Sequence, residues 1–92
     1  MAKPDPSYYL VRGEIKYKLN DFKGAINDYE ETIKIKENRK ETEYDQIYAK
    51  AFSGRGISKC DLGNKKDGCK DIEKGKQLGD YDGDNNIQQY CK

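Results

Sequence analysis

Histidine and tryptophan are absent from this 92-residue chain, proline and phenylalanine occur twice each, and methionine once. Without an imidazole, a cysteine nucleophile has no ordinary base and a metal site loses its commonest nitrogen ligand. The three cysteines, Cys60, Cys69 and Cys91, lack the paired CxxC spacing of a structural zinc site. No catalytic residue, metal or other cofactor is therefore expected. No apolar run approaches the ~20 residues that cross a bilayer, and Met1 to Leu10 does not read as a secretory leader. Neither sign of charge dominates: nine basic and ten acidic residues precede Ala49, and nine and seven follow. Lysines alternate with Asp and Glu, so there is no clustered basic face to neutralise phosphates, and nucleic acid is not an expected partner. The chain reads as soluble, without membrane insertion, and cytoplasmic by default.

What the chain does contain is one block written twice. Tyr9-x-x-Arg12-Gly13-x-x-Lys16-x-x-Leu19 returns 43 residues later as Phe52-x-x-Arg55-Gly56-x-x-Lys59-x-x-Leu62, and Lys23, Asp28 and Glu30 return as Lys66, Asp71 and Glu73. Only 34% of residues are hydrophobic and 38% are charged, yet the apolar ones recur too regularly for a disordered chain. A chain of this length forms one small domain and buries roughly 60–65% of the surface of its unfolded form, so stability is modest.

The periodicity predicts five helices and no strand. Asp5-Pro6 reads as an N-cap followed by a proline whose missing N–H costs nothing in the first turn, opening a helix to Leu19. Asn20-Asp21 breaks it, and Asp21 can cap a second helix whose stripe is Phe22, Ala25, Ile26, Tyr29, Ile33 and Ile35. Glu37 to Glu41 is wholly polar and is expected to turn. Thr42-x-x-Asp45 then resembles a capping box for a third helix, two turns longer than the first, carrying Tyr44, Ile47, Tyr48, Ala51, Phe52, Ile57 and Cys60. Leu62-Gly63-Asn64 is a tight turn with Asn64 as N-cap. Gly68, Cys69, Ile72, Gly75 and Leu78 mark the inner face of helix four, which Gly79 ends in a left-handed conformation. A short fifth helix spans about 81–91, with Ile87, Tyr90 and Cys91 packing back.

Glycine inside a helix costs about 1 kcal/mol relative to alanine, and Gly13 and Gly56 take that cost at the same repeat position. Close helix contact is the expected reason. Arg12 with Asp28 and Arg55 with Asp71 repeat as pairs and are predicted to bridge the two helices of each unit. Counting outward from Gly79-Asp80 sets Cys69 opposite Cys91. The pair is placed to form a disulfide, and equally to be two small buried side chains with free thiols. A bridge would imply an oxidising compartment, hence an exported or periplasmic protein, and would leave Cys60 over, buried between the units. Asp80-x-Asp82-x-Asp84 resembles the start of a calcium loop. Asn85 stands where that loop needs glycine and Cys91 where it needs a bidentate Glu, so helix capping is the preferred reading.

Both units resemble tetratricopeptide repeats, whose signature is an aromatic, Leu-Gly, Tyr, then Ala and an aromatic. Tyr9, Gly13, Ala25 and Tyr29 match in the first unit. Phe52 and Gly56 match in the second, with Gly68 in the Ala place and Ile72 in the aromatic place. Arg12 and Arg55 replace the usual Leu, Lys16 and Lys59 the usual Tyr, and no proline ends either repeat; Arg-Gly here resembles a common bacterial variant. The resemblance covers about 7–80. It implies an all-α, right-handed α-α superhelix: repeat one at about 6–37, a turn and extended helix start at 38–48, repeat two at about 49–80 and a capping helix at about 81–91. It further implies a non-enzymatic interaction or scaffold module, binding a protein, peptide or helix along the concave face lined by the first helix of each unit. By register that face is Ser7, Leu10, Glu14 and Tyr17, then Lys50, Ser53, Ile57 and Asp61, with Glu43 and Ile47 from the extra turns. This lining lacks the Lys, Asn and Arg cluster that clamps a peptide carboxylate and suits an amphipathic helix or a peptide with basic residues. Two units are fewer than such arrays commonly need, so the alternative is a structural unit, such as a homodimer, that self-associates by stacking its first or fifth helix.

Overall fold

Local capping chemistry sets where the chain turns helical. In the computed structural model, which describes residues 5–39 and 45–92, Asp5 accepts the Ser7 N–H at 2.9 Å and Pro6 opens α1 (Pro6–Lys18). Asp21 accepts the Gly24 N–H at 3.0 Å at the start of α2 (Phe22–Arg39). Then follow α3 (Asp45–Asp61), α4 (Lys65–Gln77) and α5 (Gly83–Tyr90), with no strand among the described residues.

Three helices end in the same way. Asn20, Gly63 and Gly79 have φ of 65°, 93° and 103°. Each N–H, and the one after it, turns back onto carbonyls of the last turn, as in Gly63 to Cys60 at 3.0 Å and Asn64 to Lys59 at 2.8 Å. These paired bonds satisfy carbonyls that a helix end otherwise leaves open and reverse the chain for the next helix.

Several boundaries differ from the sequence expectation. α2 continues through Asn38 and Arg39, beyond the expected end of repeat one at about 37, and the rest of the 37–41 stretch expected to contain the turn lies outside the described residues. Glu37, Asn38 and Arg39 are fair helix formers, and α3 holds the last turn: buried Lys36 reaches Asp45 at 3.2 Å, and Tyr48 donates to Glu37 at 2.8 Å. That bond, after burial, pushes the Tyr48 phenol up to about 12. Among the described residues α3 has 17 residues against 13 in α1, one turn more. The capping box at Thr42, and Glu43 and Tyr44, lie outside the described residues. α5 starts at Gly83 rather than Tyr81 because Asp80 accepts the Asp82 N–H at 3.1 Å and forms a turn first. Asn64 precedes α4 without a side-chain cap.

Each helix packs antiparallel on the one before it. Across α1 and α2, Thr32 bonds the Pro6 carbonyl while Gly13 faces Asp28 and Tyr29. Gly54 of α3 faces Tyr29 while Asp45 meets Lys36, Gly56 meets Gly68 while Ser53 meets Gly75, and Lys76 meets Asp84 while Cys69 meets Cys91. Leu10, Ala25, Tyr29, Ile33, Ala51 and Phe52 form the core, flanked by Tyr17, Ile47, Tyr48 and Leu78.

The repeated glycines lie at close approaches, as expected. A Cβ on Gly56 would fall onto the Gly68 carbonyl oxygen and lie 2.8 Å from Ile72 Cγ1; on Gly13 it would lie 3.0 Å from the Tyr29 ring. Both ion pairs form. Arg12 Nε and Nη2 bond Asp28 at 2.9 and 2.8 Å, and Arg55 Nε and Nη2 bond Asp71 at 2.8 and 3.1 Å. Lys16 and Lys59 join the same carboxylates at 3.2 and 3.0 Å. Burial works against charge on Asp28, but hydrogen bonds from Arg12 and Lys16 outweigh it and hold its carboxyl below the ordinary range.

Candidate functional site

α1, α3 and the entry to α5 enclose a cleft of about 330 Å³, inside the size range of small-ligand and side-chain pockets. Of the residues expected to line a concave face, Glu14, Tyr17, Lys50, Ser53 and Ile57 line it. Glu14 and Ile57 are the same repeat position in the two units, so equivalent positions of α1 and α3 both line the cleft.

The rest are placed elsewhere. Leu10 is a core residue at 6% exposure, and its equivalent Ser53 is 3% exposed with its hydroxyl turned toward Gly75 and without a hydrogen-bond partner. Leu10 faces the interior because large hydrophobic area gains most there, whereas Ser53 at the same position lines the cleft. Ser7 is half-buried at the α1 N-terminus, its hydroxyl bonded to Asp5 at 2.8 Å. Ile47 packs against the core. Asp61 lies beyond the cleft end and accepts the Tyr17 hydroxyl, which also lies 3.5 Å from the Tyr90 hydroxyl. Burial, then the bond to Asp61, raises the Tyr17 phenol well above its ordinary value, so it stays a neutral donor. Glu43 lies outside the described residues.

Sequence reasoning missed Lys18, Tyr29, Gly54, Asp80, Asp82 and Asn86, which complete the lining. The floor is the Tyr29 ring resting on Gly54, where a Cβ would lie 2.6 Å from Tyr29 Cζ. The signal was present: Gly54 stands two residues before Gly56, and a second mid-helix glycine implies a second close approach. Asp80 is 8% exposed, accepting from Asp82 N–H and, at 3.4 Å, from Asn86 Nδ2. It therefore shapes the turn ahead of α5 rather than capping the helix as expected, since the N-cap residue Asp82 makes no side-chain cap hydrogen bond. The end wall carries Asp82 and Asn86 because α5 packs against α3 as well as α4. Carboxylates of Glu14, Asp80 and Asp82 thus share the cleft with the ammonium groups of Lys18 and Lys50.

The cysteines sort by position. Cys69 and Cys91 are disulfide-bonded with Cα atoms 5.7 Å apart, tying the end of α5 to α4. Cys60 is free and half-buried. It packs against Gly68 within its own hairpin rather than between the units, and burial followed by Asp61 pushes its thiol up, suppressing the nucleophilic thiolate. No helix among the described residues is long and apolar enough to cross a membrane.

No family model matches the chain, and no curated protein or solved structure matches it.

Proposed function

We propose that this chain is a tetratricopeptide-type helical-repeat module that binds a peptide or helix in the cleft between α1, α3 and α5 and performs no catalysis itself. The observation that carries this reading is the cleft's construction. Equivalent positions on the first helices of two like hairpins line it together, and each hairpin is locked by the same bidentate Arg–Asp pair. Such a design places varied side chains on a stiff frame, which suits recognition. A segment with apolar residues beside a basic one suits it best: Tyr17, Tyr29 and Ile57 offer apolar surface, and Glu14 and Asp82 offer acceptors. The disulfide favours an oxidising compartment, hence an exported protein.

Selection of a phage-displayed random peptide library on the full chain tests this. Enriched sequences with a basic residue next to apolar ones, losing about tenfold or more in affinity to Ile57→Glu or Glu14→Lys, are expected. No enrichment, or peptides indifferent to both substitutions, would refute the proposal. Leu10 is unsuited to such a test because it is in the core.

A further inference from the structure

α1 turns an apolar ridge to solvent. Tyr8, Val11, Ile15 and Leu19 are 51%, 51%, 53% and 73% exposed, and their steps of three and four residues place them in one row. The row runs opposite Gly13, which faces α2.

The 43-residue repeat identifies this face. The corresponding positions in the second unit are Ala51, Gly54, Ser58 and Leu62. Ala51 and Ser58 have no exposure, Ala51 shares the core with Tyr29 and Ile33, and Gly54 carries the Tyr29 ring. On α3, then, this face is the seat of the helix that precedes it. α1 has the same face, and no described helix occupies it.

The repeated arginines point the same way. Arg55 binds Asp71 in its own hairpin and also reaches Glu30 of the preceding helix at 3.5 Å, which leaves its side chain 19% exposed. Arg12 binds Asp28 equally well, but among the described residues its Nη1 reaches only the Tyr8 hydroxyl, at 3.4 Å, and its side chain is 44% exposed. The carboxylate matching Glu30 is the missing partner. Sizes are reversed between the two faces: α3 offers small residues to a bulky Tyr29, whereas α1 offers bulky Tyr8, Val11 and Ile15.

We propose that the outer face of α1 docks an antiparallel amphipathic helix of another protein, with a small residue where Tyr29 sits on α3 and a carboxylate where Glu30 sits, to pair with Arg12. A second copy of this chain fits less well. A two-fold axis between antiparallel α1 helices sets each flank against its own copy, bringing Arg12 beside Arg12 of the mate. The helix faces of that copy that resemble the missing one are already taken, α2 by α3 and α4 by α5.

The test uses the full chain and a fluorescent 18-residue peptide of the Phe22–Arg39 sequence carrying Tyr29→Ala, stapled on its outward face because a free helix this short is marginal in water. Saturable binding is expected, weakened about tenfold or more by Val11→Asp or Ile15→Asp in the chain and about threefold or more by Glu30→Gln in the peptide. Both chain substitutions are at exposed positions, and circular dichroism verifies that each variant is folded. Ile57→Glu, which alters the cleft, is expected to leave this binding unchanged, so the two surfaces fail or stand independently. No saturation by about 1 mM peptide, or indifference to Ile15→Asp or to Glu30→Gln, overturns the proposal. So does sedimentation of the chain alone as a dimer that Ile15→Asp dissolves, which would assign the face to a second copy.

Discussion

Replacing Gly56 with alanine puts a methyl group where two helices touch backbone to backbone. The new Cβ would fall on the Gly68 carbonyl oxygen, 2.8 Å from Ile72 Cγ1 and 2.9 Å from Asp71 Cβ. Ile72 is fully buried and Asp71 is held by Arg55, so neither can step aside. α4 must therefore move bodily. Alanine gains about 1 kcal/mol of helix propensity over glycine, and overpacking a close contact costs typically 1–3 kcal/mol, more where backbone must shift. A net loss of about 2 kcal/mol follows, near the upper end of that range. In a domain of this size that lowers Tm by about 8–16 °C. Gly13→Ala is the internal control: its Cβ meets the Tyr29 ring at 3.0 and 3.2 Å and Asp28 Cβ at 3.3 Å, and no backbone. Tyr29 is buried too, but it need yield only a few tenths of an ångström, so propensity and crowding nearly cancel and the change stays within about 1 kcal/mol. Urea unfolding followed by circular dichroism, with m compared across variants, reads both values. If Gly56→Ala proves no less stable than Gly13→Ala, the backbone contact is not what selects glycine there, and the reasoning fails.

Because the folded-state pKa of Asp28 is depressed, its contribution to stability is complete above the ordinary value of 3.8 and is lost as pH falls through the folded-state value. Stability of the native chain should decline on acidification below about pH 4, and Asp28→Asn should flatten that decline in urea titrations at stepped pH. Reduction of the Cys69–Cys91 bridge, separated by 22 residues, should add the mass of two hydrogens and cost about 3 kcal/mol. An unchanged melting curve after verified reduction would contradict this. Leu10→Ala should cost about 2–4 kcal/mol as a core truncation, whereas Ile57→Ala, at the cleft wall, should cost about 1 kcal/mol or less. Equal costs would show that Leu10 and Ile57 share one environment, against the placement described above.

Much of the fold was legible because its signals are local or repeated. The N-cap oxygen of Asp5, the break at Asn20, and the glycines at 63 and 79 act within one helical turn of themselves. The Arg–Asp bridges were readable because each occurs twice at the same spacing, and Cys69 opposite Cys91 followed from counting residues around one tight turn. Five of the residues expected on one concave face, Glu14, Tyr17, Lys50, Ser53 and Ile57, do line one cleft. The failures share a cause. Placing Leu10 on the groove requires its rotation about the α1 axis relative to two neighbours at once, and one residue of error is about 100°. Ending repeat one at about 37 missed the hold that Tyr48 and Asp45 of α3 exert on the end of α2. Asp80, Asp82 and Asn86 reached the cleft only because α5 folds against α3 as well as α4.

The amino-acid order by itself decided that this chain is helical, where α1, α3 and α4 stop, and which charged residues pair across each hairpin, since all of these depend on neighbours a few residues away or on a motif written twice. Tertiary packing alone decided which side of each helix is interior, which is cleft and which stays uncovered on α1. Those choices depend on how several helices share one small volume, and burial of the largest apolar side chains settles them for the molecule as a whole.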